Sequence, residues 1–260
     1  MLKPRIIPCL LMQDGGLVKT VRFKDPRYIG DPINAVNIFN EKEADELIIL
    51  DIDATSQGRE PDYKKIANLA AECRMPLCYG GGIRKPEQAR LIISLGVEKV
   101  AISAAAIEDV NLISEVAEEI GRQSVVVVLD HKQRLLSKQH DVWTHNGTHN
   151  TKRNVIDVAK QMEDAGAGEI VLNSIDNDGR MCGYEIALAV RLREAVNVPV
   201  TILGGAGSLK DMGSLIAACG VVGAAAGSLF VFKGSYRAVL INYPSFQQKN
   251  DVIFSVLNSR

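Results

Sequence analysis

Short apolar runs recur along the chain at near-regular intervals, and amphipathic stretches fill the gaps between them. The runs are Arg5–Leu11, Leu47–Asp53, Pro76–Tyr79, Lys99–Ile102, Ser124–Asp130, Glu169–Ser174, Val198–Ile202 and Gly223–Ala226. They are short, nearly continuous and mostly rich in Val, Ile and Leu, as strands buried on both faces are. Between them, Asp62–Cys73, Pro86–Leu95, Asn111–Ile120, Asn154–Ala165 and Tyr184–Ala195 place apolar residues at helical spacing. Strand–helix alternation with short links predicts a parallel sheet. Eight such units fit an α/β fold of one closed (β/α)8 TIM barrel over residues 1–260. An open, doubly wound sheet is the alternative.

A repeat favours the barrel. Ala44-Asp-Glu-Leu-Ile-Ile matches Ala167-Gly-Glu-Ile-Val-Leu, Met75-Pro-Leu matches Val198-Pro-Val, and Gly81-Gly82 matches Gly204-Gly205. Glu46 and Glu169, Pro76 and Pro199, and Gly81 and Gly204 are each 123 residues apart. The strand ending at Leu11 corresponds to the one ending at Asp130, a separation of 119. The chain therefore reads as two similar half-barrels, approximately 1–120 and 121–260, with two similar sites.

Composition narrows the function. At 260 residues and 47% hydrophobic, the chain has ample material for a core, and its net charge of −1 offers no bulk attraction to nucleic acid or an anionic membrane. No apolar run reaches the roughly 18–20 residues of a membrane span. Lys3 and Arg5 precede an apolar stretch interrupted by Pro8 and ended by Gln13-Asp14, which does not read as a signal peptide. Cys9, Cys73, Cys78, Cys182 and Cys219 have no metal-type spacing and suit free thiols in the cytosol. His145 and His149 flank Asn146-Gly147, a turn signal, so their spacing is not that of a metal-binding helix face. Trp143 reads as packing in a short hairpin strand, and His131, next to Asp130, points away from it if the strand continues.

Each half carries a glycine cluster after its third strand, Tyr79-Gly-Gly-Gly-Ile-Arg84 and Leu203-Gly-Gly-Ala-Gly-Ser208, with a helix to follow. Glycine lets backbone N–H groups approach an anion, and the start of a helix favours negative charge. The fourth units supply small residues at the matching places, Ser103-Ala104 and Gly227-Ser228. Gly81, Gly82, Ser103 and Ala104 thus define one candidate phosphate site, and Gly204, Gly205, Gly227 and Ser228 the other. The implied ligand is elongated and anionic at both ends. Gly15-Gly16-Leu17-Val18-Lys19 reads as a polar loop able to close over it, with Lys19 near a phosphate.

Arg5-Ile-Ile-Pro-Cys-Leu, Leu50-Asp-Ile, Gly80-Gly-Gly-Ile-Arg84, Asp130, Ile175-Asp-Asn-Asp-Gly179 and Gly204-Gly-Ala-Gly207 together resemble the cyclase subunit of imidazole glycerol phosphate synthase. The resemblance implies a bisphosphate ligand, no cofactor or metal, and ammonia delivered by a separate glutaminase subunit. That family places an acid at the end of the first strand and another at the end of the fifth. The fifth-strand acid falls on Asp130; the first falls on Leu11. Ser103-Ala104 and Leu203 also depart from the family pattern toward apolar. Lys19, Asp51, Asp130 and Asp178 are retained, and Asp53 is an added acid where the family has Thr. The candidate catalytic set is therefore Asp130, Lys19, Asp178 and Asp53.

At the strand starts, Arg5, Glu46, Lys99 and Glu169 match the charged ring that gates the ammonia passage in the resembled family, on the face that receives the glutaminase. Glu98 belongs to the same face. Leu240-Ile-Asn-Tyr-Pro244 and Leu50-Asp-Ile-Asp-Ala-Thr55 resemble a divergent branch associated with glycosyl amidation in surface-polysaccharide (O-antigen, lipopolysaccharide) synthesis. There the barrel supplies ammonia to a sugar amidotransferase. Three further readings stand beside this one: an active cyclase of histidine biosynthesis, a non-catalytic activator of the glutaminase, and an isomerase on a similar bisphosphate.

Overall fold

A computed structural model describes residues 3–135 and 137–257. Eight strands close into a barrel: β1 Arg5–Gln13, β2 Leu47–Asp51, β3 Leu77–Gly80, β4 Lys99–Ile102, β5 Val125–Gln133, β6 Glu169–Ser174, β7 Val200–Leu203 and β8 Gly223–Ala226. Each pairs in parallel with its two neighbours, including β5 with β6 and β8 with β1, so the eight-stranded barrel is closed. The open-sheet alternative is excluded. Eight outer helices follow the strands: α1 Pro32–Glu41, α2 Tyr63–Glu72, α3 Pro86–Ser94, α4 Asn111–Ile120, α5 Val155–Ala165, α6 Ile186–Ala195, α7 Leu209–Cys219 and α8 Phe246–Leu257. Among the described residues, no helix is long and apolar enough to cross a membrane.

Strand periodicity divides the core into two layers. Ile6 and Leu10 face the helices, whereas Ile7 and Cys9 point into the barrel with Ile48, Cys78, Val126, Val128, Val171 and Ala225. Four of the helices start at side-chain caps: Asp31, Asp62, Asn154 and Ser208 accept hydrogen bonds from first-turn amides of α1, α2, α5 and α7. Each such cap stabilises its helix by about 1 kcal/mol.

Residues 15–19 do not form a loop. Gly16–Val21 is a strand, antiparallel to the end of β1 and to Lys24–Gly30. The cause lies in Asp14 (φ 48°) and Gly15 (φ 83°), which form a two-residue turn of the left-handed kind that suits strand twist. β1 consequently runs past Leu11, and β5 runs past Asp130 into a matching hairpin with His140–Thr144 and His149–Asn154. With β5 continuing, His131 turns outward and packs edge-on against His140, at 5.1 Å between ring centroids. Trp143 lies under the Lys132 ammonium, 3.9 Å from its ring centroid.

The Leu240–Pro244 segment packs in the helix-facing layer outside the barrel, and its Tyr243 reaches the starts of β1 and β2. Tyr243 packs between Phe39 and Phe230, and its hydroxyl donates to Ile6 O (2.7 Å) while accepting from Asp45 N (3.2 Å). Asp45 accepts in turn from Ile6 N (2.9 Å) and Lys249 Nζ (2.6 Å). This latch ties α8 to the starts of β1 and β2, beside Arg5 and Glu46. Tyr243→Phe leaves two backbone groups without this partner and should lower the unfolding free energy by roughly 1–2 kcal/mol in urea titration. An unchanged midpoint would remove the latch from the account.

Candidate functional site

The strands' C-terminal ends surround a cavity of about 300 Å³. Lys19, Asp53, Asp130, Asp178, Gly81, Gly82, Ser103, Ala104, Gly204, Gly205, Gly227 and Ser228 all line it. The cavity spans from the β3–β4 side to the β7–β8 side, with apolar residues at its floor: Cys9, Leu11, Leu50, Val128 and Leu203.

The two glycine clusters make open ends. Gly81 has φ 130°, and a Cβ there would lie 2.5 Å from Asp51 O. Gly205 has φ 109°, and a side chain there would run into the carbonyl of Gly183. At the β7–β8 end, the Lys19 ammonium lies against Gly227, where a side chain would displace it. Ser228 Oγ is buried there and has no hydrogen-bond partner among the described residues. A buried hydroxyl without a partner costs about 1–3 kcal/mol unless something fills its place. Bare backbone, one ammonium and one idle hydroxyl together suit an anionic oxygen group.

Asp130 stands on β5, and Asn173, in register on β6, donates to its Oδ1 at 2.7 Å. Loss of solvent pushes the Asp130 carboxyl up to about 7, against the opposing hydrogen bond from Asn173. It is poised to take or give a proton near neutral pH. The matching positions of the other half, Leu11 on β1 and Leu50 on β2, are also in register. A polar, hydrogen-bonded pair on one side of the cavity therefore faces an isobutyl pair on the other.

Two further acids, Asp178 and Asp53, bond the hairpin. Asp178 Oδ2 accepts from Thr20 Oγ1 (2.6 Å) and Phe23 N (3.1 Å), and Asp178 O accepts from Arg22 N (3.1 Å). Those bonds hold Arg22 (φ 54°) and Phe23 (φ 60°) in a left-handed turn that neither residue favours. Lys19 Nζ is 3.9 Å from Asp178 Oδ1. Asp53 accepts from Gln13 Nε2 (3.3 Å) and Asp14 N (3.2 Å), anchoring the first turn. Asp51 accepts from the amides of Asp53 and Ala54, and burial still pushes its carboxyl above the ordinary range.

At the opposite end, Arg5, Glu46, Lys99 and Glu169 form a closed ring. Arg5 bonds Glu46, and reaches Glu169 at 2.8 Å; Lys99 reaches Glu46 and Glu169, each at 2.8 Å. Thr201 donates to Glu169 Oε1 at 2.6 Å. Burial alone pushes the Glu169 carboxyl up, but Arg5 and Lys99 outweigh it and hold it below the ordinary range. The same carboxylates raise Arg5 and Lys99 against their own desolvation. The four charges sum to zero, which makes burial tolerable.

Sequence reasoning missed Asn173, Thr20, Phe23 and Gln13. Asn173 carried a signal, a lone amide in the otherwise apolar Ile170–Leu172 run. Asp130 yields a pH test. Its folded value lies above the ordinary 3.8, so between about pH 4 and 7 the native state keeps a proton that the unfolded chain has lost. Stability from this group is therefore full below pH 4 and falls as pH rises through 7. Asp130→Asn should flatten that part of the unfolding free energy measured from pH 4 to 8. An identical slope in both proteins would refute the raised carboxyl.

The family of histidine biosynthesis proteins matches residues 5–237. A provisionally named imidazole glycerol phosphate synthase subunit HisF of Leptospira borgpetersenii is 56% identical, over 96% of this chain and 98% of its own length. A provisionally named subunit hisF3 of Vibrio vulnificus is 55% identical, over 97% of each chain. Subunit HisF of the same synthase from Saccharolobus solfataricus is 41% identical, over 79% of this chain and 81% of its own. On fold and sequence together, the chain belongs to the histidine biosynthesis family of (β/α)8 barrels that includes the HisF subunits of imidazole glycerol phosphate synthase.

Proposed function

We propose that this chain is the barrel subunit of a glutamine-dependent complex, passing ammonia from a glutaminase at its N-terminal face and carrying out little or no cyclisation itself. The observation that carries the reading is Leu11. It lies across the cavity from Asp130, at the place where the second acid of a two-acid mechanism belongs. A carboxylate carries a proton and an isobutyl group does not, so one of two proton transfers loses its agent. Asp53 is no replacement, because its oxygens are engaged by Gln13 and Asp14. Asp178 is likewise a positioning residue for the hairpin, with Lys19 at the second anion site. The charged ring, by contrast, is complete.

The pattern of relatives supports a separate branch. Identity is 53–56% to four provisionally named subunits, two of them numbered hisF3 and hisF2, but 40–42% to four named HisF without reservation. In this reading the chain works in the cytoplasm, and the ammonia serves a sugar amidotransferase of surface-polysaccharide synthesis. The half-barrels 1–120 and 121–260 supply one anion cradle each, for the two ends of a bisphosphate or for separate phosphates. Neutral ammonia crosses the apolar interior far more readily than ammonium, which would forfeit its hydration.

The second reading, an active cyclase with Asp130 as its acid–base, is favoured by the retained Asp130 and Lys19. An assay with ammonium salt and the bisphosphate substrate separates the two. Turnover should lie about 10²–10⁴-fold below that of a HisF subunit with both acids, and Leu11→Asp should recover at least about tenfold. Turnover at the HisF rate in the unmodified chain would overturn the proposal.

A further inference from the structure

The residues around the mouth of the cavity are unlike the rest of the molecule. Two hairpins flank that mouth: the one built from Gly16–Val21 and Lys24–Gly30, and a smaller one, Phe232–Lys233 paired with Ala238–Val239. They are braced on each other. The guanidinium of Arg27 lies 5.7 Å from the Phe232 ring centroid and that of Arg237 lies 5.6 Å from it. Arg237 also donates to Gly179 O, at the cavity wall.

Tyr28 is 66% exposed and Tyr236 is 95% exposed, with Val21, Val239 and Leu240 also open to solvent. Residues 20–28 and 232–240 contain Arg22, Lys24, Arg27, Lys233 and Arg237 against a single acid, Asp25. A chain with net charge −1 thus presents a cationic, tyrosine-bearing rim on one side of its open end. Exposed Tyr and Arg on a braced support are the residues that dominate binding at protein interfaces. A bound bisphosphate explains neither tyrosine, since both project outward and neither lines the cavity.

We infer that this rim is the docking surface for the enzyme that consumes the ammonia, an acceptor with an acidic surface around its own ammonia entrance. The inference rests on the ammonia-delivery reading above. The physical requirement is containment. Ammonia that leaves the barrel into water is diluted and protonated, so a consumer must seal the mouth by contacting what surrounds it. The two hairpins are the projecting parts of that surround. Their positive charge selects an acidic counterpart and accelerates encounter.

The test is carried out in the native host with the full-length protein. A photo-crosslinking amino acid replaces Tyr28 or Tyr236, and Leu91, exposed on α3, serves as the control position. The expected product joins Tyr28 and Tyr236 sites, but not the Leu91 site, to an ammonia-consuming synthetase. That enzyme's glutamine-dependent rate is then measured with the complete complex carrying Lys24→Glu and Lys233→Glu, and separately Tyr236→Ala. The rate should fall at least about tenfold, while its rate on added ammonium salt stays within about twofold. Crosslinks to the glutaminase, to a second copy of this chain or to nucleic acid, or no rim-specific crosslink, would overturn the inference. So would charge-reversed variants that supply ammonia normally. If omitting the barrel leaves the glutamine-dependent rate unchanged, the ammonia-delivery reading itself falls.

Discussion

At the ends of β3 and β7 the backbone passes so close to its neighbours that side chains are excluded. A Cβ on Gly81 would meet Asp51 O at 2.5 Å, and one on Gly205 would meet the Gly183 carbonyl. Both residues also hold φ values that only glycine adopts without strain. This constraint leaves bare backbone at the two ends of the cavity, and the chemistry of the site follows from it. Lys19 and Ser228 furnish charge and a hydroxyl at one end, Ser103 and Ala104 keep the other end small, and Asp130 stands between them. Closure of the barrel brings these eight strand ends into one circle, which an open sheet does not do.

The two faces of the barrel differ in how they treat charge. The N-terminal ring satisfies every charge with a partner, and the Tyr243–Asp45–Lys249 latch fixes the strands that carry Arg5 and Glu46. The interior between the faces is apolar, from Ile7 and Ile48 up to Val128 and Leu203. At the C-terminal face that apolar character continues into the cavity through Leu11 and Leu50. Asp130 on β5 has no carboxylate counterpart at Leu11 on β1. A closed, charge-paired ring below and a cavity with leucine opposite Asp130 above are the two features on which the proposed delivery role rests.

The barrel was largely legible in the sequence because strands buried on both faces leave unbroken apolar runs. β4, β6 and β8 begin and end at the predicted residues, and the others differ by one to three. Arg5, Glu46, Lys99 and Glu169 stood out because each sits at a predicted strand start and the resemblance to the cyclase family assigns those positions to a charged ring. The hairpins were less visible. Asp14-Gly15 is a known turn pair, yet the glycine-rich run after it read as a loop. Arg22 and Phe23 carry no turn signal at all, since Asp178, some 155 residues away, imposes their conformation. Asp53 and Asp178 read as acids for chemistry, and composition did not show that both also accept hydrogen bonds from the first hairpin and its turns. Tyr243 was visible only as part of an unexplained segment, because its two partners lie at the other end of the chain.

Everything proposed for the site requires that this cavity hold an anion at each end. Crystals of the protein soaked in inorganic phosphate test it most directly. One phosphate is expected against Gly81, Gly82, Ser103 and Ala104 and another against Gly204, Gly205, Gly227 and Ser228, the second within hydrogen-bond reach of Lys19. Density at neither cradle, with phosphate bound elsewhere on the surface, would contradict it.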